Sequence, residues 1–366
     1  MANYKSHFIS IYDIDIDSVR GKIAEKELKG MVDLENYVSM IIEQRLSGKK
    51  NRVFERKEKE TTVISETLKI LEIVKDEINK KTPPESIASR VLEKAKTPLE
   101  SIASRLLEKE IEANTKYGDF ISIRRGILIQ SYLELEGEFI YLLAKIDHNA
   151  FISESNWQKQ FGFPYERHVL KSCLIKFEGN PKIKEILVYD SNPKIARYWW
   201  DDFLELNEKR SDKDNTWISF YNIERIISKN LKEKSPTDHV NVLTRLENYY
   251  DSQKTFDFDE MKKNVFESYE SQDPKIKMKS LVKQGENQIE KGKFDPIFPI
   301  DKKEISERYK FVIEVNDNIK LILTDFLDNL KHLITVEKDD TGDKFIKIKT
   351  TDKVFQMLSQ HNGENE

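Results

Sequence analysis

The sequence predicts an α+β fold: an antiparallel four-stranded meander with flanking helices, then a helical C-terminal domain ending in a small β-sheet. Three observations carry this expectation. Residues 117–204 hold four apolar runs set apart by turn signals, among them Glu136-Gly137 and Glu178-Gly179-Asn180-Pro181; such punctuation marks successive hairpins. Helical periodicity lies on either side of that stretch. Short apolar runs return beyond Lys310, the last two separated by Asp340-Thr341-Gly342.

The elements follow in order. Residues 4–16 alternate as a strand does, with Phe8, Ser10 and Tyr12 to one side and His7, Ile9 and Ile11 to the other. Leu34, Val38, Ile41, Ile42 and Leu46 recur at helical spacing, and Gly48 ends that helix. Ile64, Leu68, Leu71 and Val74 make the apolar stripe of a second helix over 61–78. A duplication comes next: Thr82-Pro83-Pro84-Glu85-Ser86-Ile87-Ala88-Ser89-Arg90 returns fifteen residues later as Thr97-Pro98-Leu99-Glu100-Ser101-Ile102-Ala103-Ser104-Arg105. Each copy reads as a capping box with proline at the first helical position. Two copies fall short of the three or so that a solenoid needs. The expectation is therefore a tandem copy of one helical unit over 82–109, tolerated at the surface, with one copy dispensable. A partner-docking element is the other reading.

The four meander strands are expected over 126–135, 139–147, 168–177 and 186–190. Asn192 and Pro193 then read as the cap and first position of a helix that turns Ile195, Trp199 and Leu204 toward the sheet. Its core is expected to hold Ile129, Leu133, Ile140, Leu142, Ile175, Val188 and Trp199. The charged stretch 207–216 is the expected linker between domains 1–206 and 217–366. Beyond it, helices are expected over 217–231, 237–250 and 259–269. A short one follows at 278–282 within a lysine-rich run of Lys275, Lys277, Lys279, Lys283, Lys291 and Lys293. Strands over 310–315, 319–323, 334–336 and 344–348 complete the chain.

The succession of hairpin, strand pair and the helix Tyr198-Trp199-Trp200-Asp201-Asp202-Phe203-Leu204 resembles the core of the bacterial nucleoid-associated protein family (YejK-like). In that family a Gly-Asp-type hairpin leads through a strand pair into a Tyr-Phe-x-x-Phe-Leu helix. The resemblance implies double-stranded DNA as the ligand without saying which residues meet it, and the motif contains no catalytic signature. It also implies a nucleoid location, while the missing secretory signal and the lone Cys173 lead to the expectation of a cytoplasmic one.

Composition bounds these expectations. A chain of 366 residues is long for one core, and 38% hydrophobic with 34% charged residues suits many exposed helix faces. No apolar run is long enough to span a membrane, and residues 1–10 lack the apolar core of a secretory signal. Cys173, the one cysteine, fits a reducing compartment and reads as a buried structural thiol. A net charge of −4 runs against the usual footprint of a DNA-binding protein.

The charge is uneven, however. Residues 45–59 carry Arg45, Lys49, Lys50, Arg52, Arg56, Lys57 and Lys59 against Glu55 and Glu58. Residues 167–197 carry Arg167, Lys171, Lys176, Lys182, Lys184, Lys194 and Arg197 against Glu178, Glu185 and Asp190. Phosphate contacts are accordingly expected from Lys49, Lys50, Arg52, Arg56, Arg167, Lys171, Lys182, Lys184, Lys194 and Arg197, and from the pair Arg124 and Arg125. Arg197-Tyr198-Trp199-Trp200 mixes basic and aromatic residues, and a core role for its aromatics is the plainer reading.

Little points to an enzyme. No glycine-rich phosphate loop is present, and the six histidines pair nowhere at metal-ligand spacing. The expectation is a non-enzymatic protein without metal or cofactor. A magnesium-dependent nuclease would have to draw on Asp190 and Glu178, for which anchoring a turn and facing solvent are the plainer roles. The leading expectation is a sequence-tolerant, architectural DNA-binding protein, acting as a homo-oligomer, a homodimer in the simplest case. The alternative is a protein-interaction subunit of a bacterial anti-phage defence or chromosome-maintenance complex that holds DNA weakly.

Overall fold

The computed structural model describes residues 4–18, 21–26, 32–47, 50–57, 61–80, 83–117, 123, 125–152, 158–162, 171–178, 182–306, 311–316, 318–323 and 334–362. It forms two compact units, Met1–Ile305 and Ser306–Glu366.

The first unit is mixed α+β and is built on one antiparallel sheet of eight strands. Its strands are β1 (Tyr4–Asp15), β2 (Lys22–Lys26), β3 (Arg52–Arg56), β4 (Gly126–Leu135), β5 (Glu138–Asp147), β8 (Lys171–Glu178), β9 (Lys182–Asp190) and β10 (Leu206–Glu208). The order is β10-β3-β9-β8-β5-β4-β1-β2. The four expected runs are thus neighbours, but they form only the middle of a wider sheet. A separate hairpin of β6 (Asn149–Ile152) and β7 (Lys159–Gly162) interrupts them between β5 and β8. Residues 168–170, the expected start of the third run, lie outside the described residues. At the β4–β5 turn Glu136 and Gly137 have φ of 51° and 82°. Two left-handed residues in a two-residue loop match the twist of the strands, which is why a Glu-Gly pair sits there.

Both faces of the sheet are covered. Alternate residues of each central strand therefore go to different cores. Helix α1 (Val32–Ser47) lays Tyr37, Ile41 and Ile42 on Ile129, Leu133, Ile140 and Leu142. Helices α2 (Thr62–Asn79), α3 (Pro84–Lys94) and α4 (Lys96–Tyr117) cover the other face, over Leu128, Tyr132, Tyr141, Cys173, Ile175 and Val188. The seven expected core residues are all buried, yet Ile175, Val188 and Trp199 share the second core and not the first. Cys173 is fully buried on β8, and burial pushes its thiol pKa up.

The duplicated unit is not a surface tolerance. Ile87 and Val91 of the first copy and Ile102 and Leu106 of the second join one core cluster with the sheet. Buried Gln130 on β4 donates to the carbonyl of Leu99 at 3.0 Å and accepts from the Tyr141 hydroxyl at 2.8 Å, docking the second copy directly. Proline accounts for the break between copies: Pro98 has no N–H to give the carbonyl of Lys94, so the helix restarts after Ala95. Thr97 consequently lies inside α4 and caps nothing, and Thr82 lies outside the described residues. The copies have also diverged in partner. Arg105 donates to the carbonyls of Asp202 and Phe203 at 2.7 and 3.0 Å, whereas Arg90, its counterpart, lies 3.8 Å from Glu77.

After β9 the expected Asn192 cap is replaced by Asp190. Its carboxylate accepts from the Asn192 and Ala196 amides at 3.0 and 2.9 Å, and helical structure begins only with the π-turn Tyr198–Phe203. Ile195, Trp199 and Leu204 are buried as expected. Residues 207–216, the expected linker, are packed. Leu206–Glu208 is the edge strand paired to β3, and Ser211 with Asp214 closes a capping box on α5 (Asp212–Leu231). The helices α6 (Pro236–Ser252), α7 (Phe258–Lys262), α8 (Met278–Glu290) and the short α9 (Lys302–Ser306) follow, together with a ribbon of β11 (Thr255–Asp257) and β12 (Ile297–Pro299).

The second unit holds two hairpins, β13 (Phe311–Asn316) with β14 (Ile319–Leu323) and β15 (Ile334–Lys338) with β16 (Lys344–Ile348), and a helix over Asp352–Asn362. Among the described residues no helix is long and apolar enough to cross a membrane.

Candidate nucleic-acid interface

Of the nine described basic residues expected to meet phosphate, seven are engaged in ion pairs within the chain, two of them buried. Arg52 is the clearest case: it is 2% exposed, and its guanidinium meets Asp212 at 2.7 Å, Glu208 at 3.2 Å and Asp295 at 3.6 Å. It is a hinge pin between β3 and the segment leading into α5, unable to reach a ligand. Lys50 donates to Asp257 at 2.6 Å, and Arg56 stands exposed at the end of β3. Lys49, Arg124 and Arg167 lie outside the described residues. Arg125 is clamped to Asp13 by two hydrogen bonds, at 2.6 and 3.1 Å, with Asp15 at 3.3 Å.

The second expected patch is similarly neutralised. Lys171 is buried against Asp190 at 2.7 Å. Lys182 faces Glu178 at 3.6 Å, Lys184 pairs with Glu138, and Arg197 meets Asp201 at 2.8 Å. Lys194 is exposed in the bend after β9. Exposed pairs such as Lys182–Glu178 are weak and can open toward a phosphate; the buried ones cannot. Arg197-Tyr198-Trp199-Trp200 does not present a stacking surface, because Tyr198 and Trp199 are buried and Trp200 packs on Phe54 with ring centroids 5.6 Å apart.

Lys171 belongs to a buried charge cluster. Lys145 and Lys171 are directly opposed on β5 and β8, an unfavourable pairing unless acids intervene. Asp147 lies 2.9 Å and Glu110 of α4 3.2 Å from the Lys145 ammonium. Burial, partly offset by Lys145, pushes the Glu110 carboxyl up to about 7. Asp190, one of the two acids a nuclease would need, is consumed by Lys171 and the two turn amides, and Glu178 faces Lys182. Among the described residues no group of three histidine, cysteine or acidic side chains is placed to hold a metal ion.

A denser group of exposed cations lies in the helical layer. On α8, Met278, Leu281, Val282 and Gly285 face inward, so Lys279 and Lys283 project outward with Lys275 and Lys277 just before them. Gly285 permits this seating, since a Cβ there would come within 3.0 Å of the Phe258 ring. No ion pair forms between these four lysines and any carboxylate among the described residues. The preceding loop is fixed by Asp238 at the start of α6, which accepts from Tyr269, Ser271, Ser235 and the Gln272 amide at 2.6–3.1 Å. Burial works to raise its carboxyl, but those hydrogen bonds hold it well below the usual carboxylate range.

Helices α5 and α8 run antiparallel. Asn215 at the start of α5 bonds Asp295 just beyond α8, while Asn230 near the end of α5 bonds Gln284 at 3.2 Å. Lys229, Lys232 and Lys234, all exposed, therefore lie at the same end of the helical layer as the start of α8. The lysine-rich run was visible in the sequence; its exposure was not, because the acids that could have paired with it are equally frequent nearby. No family model and no curated protein matches this sequence.

Proposed function

We propose that this chain is a sequence-tolerant double-stranded DNA-binding protein of the bacterial nucleoid, acting architecturally from the cytoplasm as a homo-oligomer. The observation that carries the reading is the cluster Lys275, Lys277, Lys279 and Lys283, exposed and free of described carboxylate partners at the N-terminal end of a thirteen-residue helix. Ammonium groups there would replace the condensed counterions of the duplex, and the positive end of the helix dipole adds to their field. Lysines act as point charges on phosphate and read no base edges, so sequence tolerance follows from the chemistry. An overall charge of −4 favours moderate affinity, on the order of 10⁻⁴–10⁻⁶ M at physiological salt.

A variant with all four lysines changed to glutamate tests this reading. It should bind two unrelated duplexes equally poorly, and its dependence of log K on log salt should flatten by about 0.9 for each phosphate no longer neutralised. An unchanged slope would remove this patch from the reading. If the parent protein binds no duplex at low salt, the interaction-subunit reading replaces it. That second reading has its own support: β15 and β16 pair Val336 with Ile346 and Ile334 with Ile348, leaving Val336 78% exposed. An aliphatic face on a two-stranded hairpin suits a protein partner in a defence or chromosome-maintenance complex.

A further inference from the structure

Helix α5 carries a row of exposed basic and aromatic side chains. Lys213, Trp217, Tyr221, Arg225 and Lys229 follow one another at four-residue steps, with Lys232 beyond them, and all are exposed. The opposite face is conventional, with Phe220, Ile223, Ile227 and Leu231 buried. Trp217 is 38% and Tyr221 46% exposed, and their rings stack in parallel, centroids 5.6 Å apart and planes 12° from each other. Four-residue spacing is what brings two helical side chains together. Trp217 and Tyr221 thus form a stacked aromatic pair with part of each ring in solvent, and cations follow along the same ridge.

Two of the acids along it are engaged by their own partners, and Glu224 lies within electrostatic reach of Lys232. Lys213 is held by Glu304 at 2.8 Å, and Asp214 is engaged in the Ser211 capping box. Glu224 is half-buried, with its carboxyl pushed up by burial, and Glu233 lies past the helix end. Arg225, Lys229 and Lys232 continue the row beyond Tyr221.

We propose that this ridge binds an unpaired stretch of polynucleotide, its bases stacking on Trp217 and Tyr221 and its phosphates meeting Arg225, Lys229 and Lys232. A duplex hides the faces of its bases, so it cannot extend the stack of an aromatic pair. An unpaired strand offers both a π-face to each ring and a regularly spaced negative charge to each cation, and such stacking tolerates any base. From Trp217 to Lys232 the ridge runs about 22 Å at 1.5 Å per residue. The site is independent of the lysines on α8 and would stand if duplex binding failed. Ribose and deoxyribose strands share the recognised chemistry.

The test measures binding of labelled oligothymidylate, oligouridylate and a short duplex to the full chain at low salt. Trp217→Ala and Tyr221→Ala should each weaken binding of the single strand roughly 5- to 150-fold, the equivalent of about 1–3 kcal/mol per stacked base. Trp217→Phe should recover much of the loss, because it restores a ring. Arg225→Glu and Lys229→Glu should each flatten the salt slope by about 0.7. Preference for one sugar over the other identifies which strand is the occupant. The proposal is overturned if the parent binds neither oligonucleotide. It is equally overturned if both alanine variants, melting as the parent does, bind as tightly as the parent. Duplex binding that survives in Trp217→Ala but is lost in the four-lysine variant would keep the two sites distinct.

Discussion

The sheet and the helical layer of the first unit use their charges in opposite ways. On the sheet, Arg52 is tied to three carboxylates, Lys145 to Glu110 and Asp147, Lys171 to Asp190 and Arg125 to Asp13. On α5 and α8 they stand in solvent, four lysines beside one helix and a basic-aromatic ridge along the other. The difference teaches that a basic run in a sequence is not an interface. In a sheet whose two faces are both covered, a cation survives only with a carboxylate beside it. On a helix with one buried face, the outward arc is available for binding.

The strongest way to break the comparison is to remove residues 95–109, one full period of the duplication. If the sheet half is an internally committed core, the deletion takes Leu99, Ile102, Ala103 and Leu106 out of it, all fully buried. The expected outcome is loss of cooperative melting by circular dichroism. A soluble, cooperatively melting product would show that one copy suffices, as the sequence alone had suggested. Next in size is Arg52→Ala, which removes a buried guanidinium from Asp212, Glu208 and Asp295 and leaves Asp295 to Arg210 and Asn215. A loss of about 3–5 kcal/mol in urea unfolding is expected, with duplex affinity unchanged wherever the variant remains folded.

The smallest effect lies in the helical half. Burial, with Glu224 adding to it, pushes Glu247 on α6 up to about 7 from its ordinary 4.5. The folded chain therefore keeps a proton that the unfolded chain has released, and stability falls as pH rises through about 4.5 to 7. Glu247→Gln should flatten that decline, stabilising the protein by up to about 3 kcal/mol above pH 7 and by nothing below pH 4. Urea midpoints at pH 4 and pH 8 measure it; an equal shift at both would show that the carboxyl titrates normally.

Much of the fold could be read from the chain because apolar period and turn chemistry agree locally. β4, β5, β9 and the helices over 34–46 and 61–78 fall where alternation or helical spacing places them. β3 could not be read that way. Its sequence, Arg52-Val53-Phe54-Glu55-Arg56, looks like a solvated charge run, and the carboxylates that bury Arg52 come from positions more than 150 residues away. The true width of the sheet was hidden for the same reason, since β10 at the edge and β3 next to it are short segments defined by pairing and not by pattern. The duplicated helices misled because repetition suggests spare material, while burial depends on what lies opposite. Trp217 and Tyr221 were legible as aromatics but not as a surface; only the burial of Phe220, Ile223 and Ile227 settles which way they point.

The lone thiol gives the molecule a built-in clock. Cys173 sits on β8 between β5 and β9, fully buried beneath the α2–α4 layer, and its side chain stays protonated at neutral pH. An alkylating reagent can reach it only while the middle of the sheet is open. The labelling rate of the unmodified chain, followed by mass, therefore counts how often that opening occurs. Because this is the chain's one cysteine, every modified molecule records the same event.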